Sequence, residues 1–384
     1  MKRQIYDRLE KELVQKEILV ITGMRRVGKT TALKHLYELV DSKNKYIFDM
    51  ENPLHRKVFE VVDYDSVWLN LVNFGLSNKE KAYLFVDEAQ NLPEISRVAK
   101  YLYDHYEVKI ILTGSSSYYL RNLFPESLAG RKVVVEMFPL IFEEFLEFRG
   151  VEKVNLKVKN QILYEKLMPY YREYIQFGGF PGVVLEKDEQ RKGVLLEEIF
   201  TSYFEKDAKN LSDFSDMAKL RDLILLLTTR VGSKIDIAKI AKEMSMSRMT
   251  VYNHLAFLEQ TYFISLIGKF TGSIDRKVAG GKKVYLCDSG IANVLGQLSA
   301  GALLEQSVFQ NLRINHKLEF FMKKGGREVD FVVDGKTGYE IKSSASKQDK
   351  YKLRKVSEEL KLVEAYIVSE MYDEDEQVKM VWEV

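Results

Sequence analysis

Eight residues near the amino terminus have the types and the spacing to hold a phosphate chain. Gly23-Met24-Arg25-Arg26-Val27-Gly28-Lys29-Thr30 fills every fixed position of the pattern Gly-x-x-x-x-Gly-Lys-Ser/Thr. The two glycines let backbone N–H groups curl around phosphate oxygens, and the helix that follows turns its positive end toward them. Lys29 is the cation expected to reach the β- and γ-phosphates of ATP, and the Thr30 hydroxyl is the group expected on Mg2+. The nucleotide-contacting set is Gly23, Arg26, Val27, Gly28, Lys29, Thr30 and Thr31. A strand-like run, EILVIT, precedes the loop and a helix-spaced run, TTALKHLYELV, follows it, as the chemistry requires.

Hydrolysis needs more than a phosphate cradle. The apolar stretch Tyr83-Leu84-Phe85-Val86 ends in Asp87 and Glu88. Asp87 is expected in the Mg2+ shell, and Glu88 is expected to polarise an attacking water. The strand Val108–Leu112 ends in Thr113, Gly114 and Ser115, where a polar group can sense the γ-phosphate. Ser115 is the first choice and Thr113 the second; a plain Ser-rich loop is the alternative. Arg121 and Arg131 lie beyond, and Arg131 is taken as the arginine finger, in cis or across a subunit interface.

These groups need a frame. Residues 1–142 alternate short apolar runs with helical patterns, which predicts an α/β domain: a parallel sheet with helices on both faces. Residues 143–220 read as a helical region, 221–295 as a winged helix, and 296–384 as mixed α/β structure with strands at 318–323, 327–333 and 338–342. In the third segment a helix, the tight turn Ser245-Met246 and a second helix capped by Ser247 would carry Arg248, Met249, Tyr252 and Asn253 outward. Arg248, Tyr252 and Asn253 suit a DNA major groove, with Lys234, Lys239 and Lys242 on phosphates. Packing against the nucleotide domain is the alternative.

In the last segment Glu305 lies on a helix, and Asp330 and Glu340 lie equally far from Gly335. A hairpin centred on Gly335 would set the two carboxylates side by side, and Glu340 would share a face with Lys342. A second divalent metal would satisfy such a pair, with Lys342 stabilising a hydroxide or the developing phosphorane charge. Glu328 is read as alternating to the opposite face and is left out. This order resembles the PD-(D/E)XK nuclease core, also called the restriction-endonuclease-like fold. An inactive, retained fold is the alternative.

The runs GMRRVGKTT, LFVDEAQ, LTGSSS, LAGR, FPLIFEEFL and FGGFP, in this order, resemble the prokaryotic AAA-type ATPases that carry an uncharacterised C-terminal domain. The resemblance covers essentially the whole chain. It implies an AAA-type core, a helical region, a winged helix and a C-terminal module of nuclease-like fold.

Composition sets limits. The net charge of +2 argues neither for nor against nucleic acid, so any basic surface must come from local clustering. A single cysteine, Cys287, excludes an internal disulfide and a thiolate zinc site and fits a reducing cytoplasm. No apolar run reaches the roughly 18 residues of a membrane span, and the charged start is not a signal peptide. The expectation is an Mg2+-dependent ATP-hydrolysing motor or switch acting on DNA, with an oligomer allowed. Its rivals are a regulatory switch docking a protein partner, and an ATP-gated nuclease.

Overall fold

The computed structural model describes residues 3–61, 63–115, 130–208, 217–273, 280–296, 298–323 and 327–384. The chain forms two compact units. The first comprises Met1–Phe138, Tyr203–Ser212 and Gln260–Tyr262; the second comprises Pro139–Ser202, Asp213–Glu259 and Phe263–Val384.

The first unit is built on β1 (Ile18–Thr22), β2 (Lys45–Asp49), β3 (Ala82–Asp87), β4 (Val108–Gly114) and β5 (Lys132–Glu136). They form one sheet in the order β2-β3-β4-β1-β5, and all four pairings are parallel. Parallel neighbours need crossovers, and the helices between the strands supply them. The continuous apolar runs follow from burial on both faces, and every residue of β1 and β4 is buried. Leu84, Val86, Ile110 and Leu112 face one core with the helices Pro53–Phe59, Tyr64–Asn73 and Ile95–His105. Phe85 faces the other way and meets Tyr37 of the helix Lys29–Leu39 edge-on, ring centroids 5.3 Å apart. Helices therefore cover both faces, as expected. β5 is a strand that the sequence reading passed over, although Val133, Val134 and Val135 are a β-branched run.

The second unit holds a mixed sheet. Its strands are β6 (Ile264–Lys269), β7 (Lys283–Leu286), β8 (Leu318–Lys323), β9 (Arg327–Val333), β10 (Thr337–Lys342), β11 (Glu364–Ser369) and β12 (Val378–Met380), in the order β12-β11-β10-β9-β8-β6-β7. β9 and β10 pair antiparallel with Val333 opposite Thr337 and Phe331 opposite Tyr339, so the hairpin is centred on Gly335. Gly335 has φ +70°, which a residue without Cβ adopts at no steric cost. β6 pairs parallel with β8 and antiparallel with β7, so the β6–β7 hairpin, which lies in the segment expected to be a winged helix, shares a sheet with the strands placed after residue 296. Residues 142–228 are helical wherever a named element occurs in this unit, including Gln161–Phe177, in which Tyr171 and Tyr174 are fully buried core residues. No helix among the described residues is long and apolar enough to cross a membrane.

Candidate active site

The phosphate loop leaves the carboxyl end of β1 and enters the helix Lys29–Leu39. Gly23 is obligatory because a Cβ there would lie 2.1 Å from the Met137 carbonyl oxygen. Gly28 caps the helix at φ +100°, a conformation that L side chains resist. Lys29 is only 5% exposed, and its Nζ donates to the carbonyl oxygens of Gly23 and Met24, each at 2.9 Å. Burial lowers its pKa, while Glu88 and Asp207 oppose the shift. Val27 is buried; Arg26, Thr30 and Thr31 are exposed at the loop and the first helical turn.

β4 lies between β1 and β3, so its tip stands between the phosphate loop and the acidic end of β3. Thr113 Oγ1 donates to Asp87 Oδ1 and accepts the Glu88 backbone N–H at 3.1 Å. Glu88 has φ +52°, accepts a hydrogen bond from Gln90 Nε2, and lies 4.0 Å from an Arg25 guanidinium nitrogen. Gln90 Nε2 also donates to Ser115 Oγ at 3.2 Å. Ser115 Oγ donates to Asp207 Oδ1 at 2.8 Å, and Arg25 Nε donates to the same oxygen at 3.0 Å. Asp207 is 2% exposed and belongs to the first unit. Burial pushes its pKa up against the pull of Arg25 and Ser115. Burial also weighs against the Arg25 cation, but Asp207 and Glu88 outweigh it and raise its pKa.

Arg131 needs correction as an arginine finger for its own loop. It precedes β5 beside Ile18, whose N–H bonds to the Arg131 carbonyl at 2.8 Å. That is the amino end of β1, whereas the phosphate loop leaves the carboxyl end. Its side chain pairs with Asp104 at 2.8 Å. Arg121, Ser116 and Ser117 lie outside the described residues. Among the described residues, Arg25 is an arginine that the fold brings against Glu88 and Asp207.

In the second unit, Asp236 caps the helix Ile237–Glu243 and Ser247 Oγ accepts the Thr250 N–H at 3.0 Å, starting the helix Arg248–Gln260. Val251, Leu255 and Leu258 are buried; Arg248, Met249, Tyr252 and Asn253 are exposed, as are Lys234, Lys239 and Lys242.

The carboxylates of the same unit converge on a lysine that the sequence reading did not single out. Lys283 Nζ of β7 lies 3.1 Å from Glu305, 2.8 Å from Glu328 and 3.2 Å from Asp330. It is 1% exposed. Burial disfavours its charge, but Glu305, Asp330 and Glu328 outweigh burial and raise its pKa. Burial and Asp330 push Glu305 up to about 7. Tyr285 Oη donates to Glu305 at 2.6 Å, and the Ile341 N–H donates to Asp330 at 2.9 Å. Glu340 pairs with Lys342 at 2.9 Å. Excluding Glu328 was an error of parity: residues two apart in a strand share a face, so Glu328 accompanies Asp330. Among the described residues no group of three or more His, Cys, Asp or Glu side chains is arranged to hold a metal ion. The second divalent metal thus gains no support, because an ammonium group already bonds the acids.

Residues 15–146 match the model of the AAA domain, and residues 168–302 match a domain of unknown function (DUF8612), which runs across the boundary expected at 220. The uncharacterized protein MJ1544 of Methanocaldococcus jannaschii is 30% identical over 373 residues, covering 92% of this chain and 82% of that protein. The chain belongs to the MJ1544 family. An uncharacterized protein of Haemophilus influenzae is 27% identical over 330 residues, 82% of this chain and 79% of its own length. Among solved structures, the Aeropyrum pernix ORC1 protein in complex with DNA matches with 14% identity and a TM-score of 0.34, covering 77% of this chain and 92% of that one. In this member of the MJ1544 family, the first unit is thus an AAA-type P-loop domain of the ATPase class.

Two groups at the heart of this family member's sites, Asp207 and Lys283, carry no local motif. For Lys283 the available signal was a charge opening the apolar run KVYLC; Asp207 lies in the charged stretch Glu205-Lys206-Asp207 and gives no such signal.

Proposed function

We propose that this protein is an Mg2+-dependent ATP hydrolase that works as a nucleotide-driven switch. The observation that carries the reading is the convergence of Lys29, the Asp87–Glu88 pair and the tip of β4 at the carboxyl edge of one parallel sheet. The donor chemistry fits Mg2+: an exposed Thr30 hydroxyl opens the helix and the Asp87 carboxylate ends β3. When bound, the ion would neutralise charge on the phosphates and help orient them. The chain's own groups supply the rest. Lys29 exchanges its two carbonyl partners for phosphate oxygens, and the buried setting strengthens that attraction. Glu88 orients a water and takes its proton, while Thr113 holds Asp87 and the Glu88 backbone in place. Ser115 is the sensing hydroxyl. Lys29→Ala should abolish measurable binding of a fluorescent ATP analogue and phosphate release; full activity in that variant would remove the P-loop from the account.

DNA is the partner we favour, on the exposure of Arg248, Tyr252 and Asn253 together on one helix with three lysines nearby. The order of elements supports a winged helix: the helix Met217–Thr228, a bridge at Val231 and Lys234 to β7, two short helices, then the β6–β7 hairpin. A protein docked on the same surface is the rival, and DNA-stimulated turnover separates the two. We do not extend the reading to metal-dependent cleavage of nucleic acid, because Lys283 bonds Glu305 and Asp330, and Lys342 bonds Glu340, the carboxylates that a metal would need.

A further inference from the structure

The segment Tyr203–Ala208 is a π-helical turn. Such turns are rare and often mark functional sites, because the wider backbone gives up good hydrogen-bond geometry to aim a side chain. Here the turn carries Asp207. The segment belongs to the first unit, while the helix Glu189–Ser202 that leads into it belongs to the second. Within the first unit the described polar contacts of the turn include Tyr203 Oη with Thr261 Oγ1 at 2.7 Å, Lys206 Nζ with Glu51 at 3.9 Å, and those of Asp207.

The company of Asp207 is unusual for a carboxylate. One oxygen accepts from Arg25 Nε in the phosphate loop and from Ser115 Oγ at the tip of β4. A guanidinium and a hydroxyl at the edge of a P-loop are donors that a terminal phosphate also needs. Lys29 is near enough that it and Asp207 each affect the other's ionisation. An incoming γ-phosphate would therefore meet its donors already engaged by an anion, and two anions on one donor set repel. ADP lacks the γ-phosphate that would compete for these donors.

Resting on the reading that the P-loop binds ATP, we propose that Asp207 holds the place of the γ-phosphate in the nucleotide-free protein and is displaced by ATP but not by ADP. Displacement frees the turn 203–208, and because the chain continues directly into the second unit, that unit receives the signal. Arg25 and Ser115 are then the groups that exchange one anion for the other. Asp207 is a positioning residue that reports the nucleotide state; it is assigned no part in bond breaking.

The test uses the full chain with Mg2+. Hydrogen–deuterium exchange of residues 203–208 should rise with a non-hydrolysable ATP analogue and stay at the nucleotide-free level with ADP. In Asp207→Asn, which keeps the shape and an acceptor but loses the charge, the preference for the ATP analogue over ADP should grow about tenfold or more. Equal exchange under both nucleotides would overturn the proposal. So would a variant that weakens both nucleotides alike, since that is the mark of a merely structural residue. The wild-type exchange experiment stands even if the variant fails to fold. If neither nucleotide binds, the P-loop reading itself falls, and this one with it; if both bind without discrimination, this one alone falls.

Discussion

Replacing Lys283 by methionine tests how the second unit manages its acids. The ammonium lies within 3.2 Å of Glu305, Glu328 and Asp330, and its side chain is 1% exposed. Methionine fills a similar volume but leaves the carboxylates without their shared cation. Removing one partner of a buried charge pair costs about 3–5 kcal/mol. The Glu328 side chain is 36% exposed and is screened by solvent, so the lower end applies, about 3 kcal/mol. For a unit of this size that is a fall in Tm of roughly 6–12 °C. Differential scanning calorimetry on nucleotide-free protein reads it directly. The same variant frees three acids, so millimolar Mn2+ should restore part of the loss in Lys283→Met and leave the wild type unchanged; binding at about 100 times the Kd returns roughly 2.7 kcal/mol. A variant within about 2 °C of wild type would refute the assignment of Lys283 as the counter-ion. A wild-type Tm that rises with Mn2+ in the absence of nucleotide would refute it from the other side.

Two further outcomes are expected. Burial, with Lys81 nearby, pushes Lys109 down to about 8, below the ordinary lysine value of 10.5. A folded pKa below the unfolded one means that the burial penalty is complete below about 8 and is relieved as pH rises toward 10.5. The Tm of wild type relative to Lys109→Met should therefore climb between about pH 7.5 and about pH 10; a flat difference would show that the lysine does not titrate there. Arg248→Ala and Asn253→Ala should each weaken DNA binding in an anisotropy assay by about tenfold, with affinity falling steeply as salt rises, and should leave Tm within about 1 °C because both side chains are exposed. No affinity at low salt would turn the helix over to a protein partner.

What the sequence disclosed was local. The phosphate loop is contiguous, and its flanking strand and helix announce themselves by periodicity. Asp87 and Glu88 end a run too apolar to be anything but a buried strand. The hairpin about Gly335 was legible because its two carboxylates are equidistant from a turn, and the observed pairing of Phe331 with Tyr339 has that register. What escaped was assembled across the chain. Asp207 stands 182 residues from Arg25, and Lys283 stands 47 from Asp330, so no spacing rule links them. β5 was passed over although Val133–Val135 is a β-branched run, and its order beside β1 is a tertiary choice. Arg131 is ruled out only as a finger for its own loop: it was chosen by residue type, while its distance from that loop is set by which end of β5 it precedes. Glu328 failed through a miscounted alternation.

Lys29 and Glu88 are proposed to divide binding and turnover in one ATP site. Glu88→Gln keeps the shape and removes the carboxylate proposed to activate water, so it should bind ATP as tightly as wild type while single-turnover hydrolysis slows by about 100-fold or more. Quench-flow with radiolabelled ATP, at protein in excess over nucleotide, measures that step alone. Retained binding with trapped, unhydrolysed ATP is the expected result. Hydrolysis at the wild-type rate in Glu88→Gln, with Lys29→Ala still binding ATP, would contradict it.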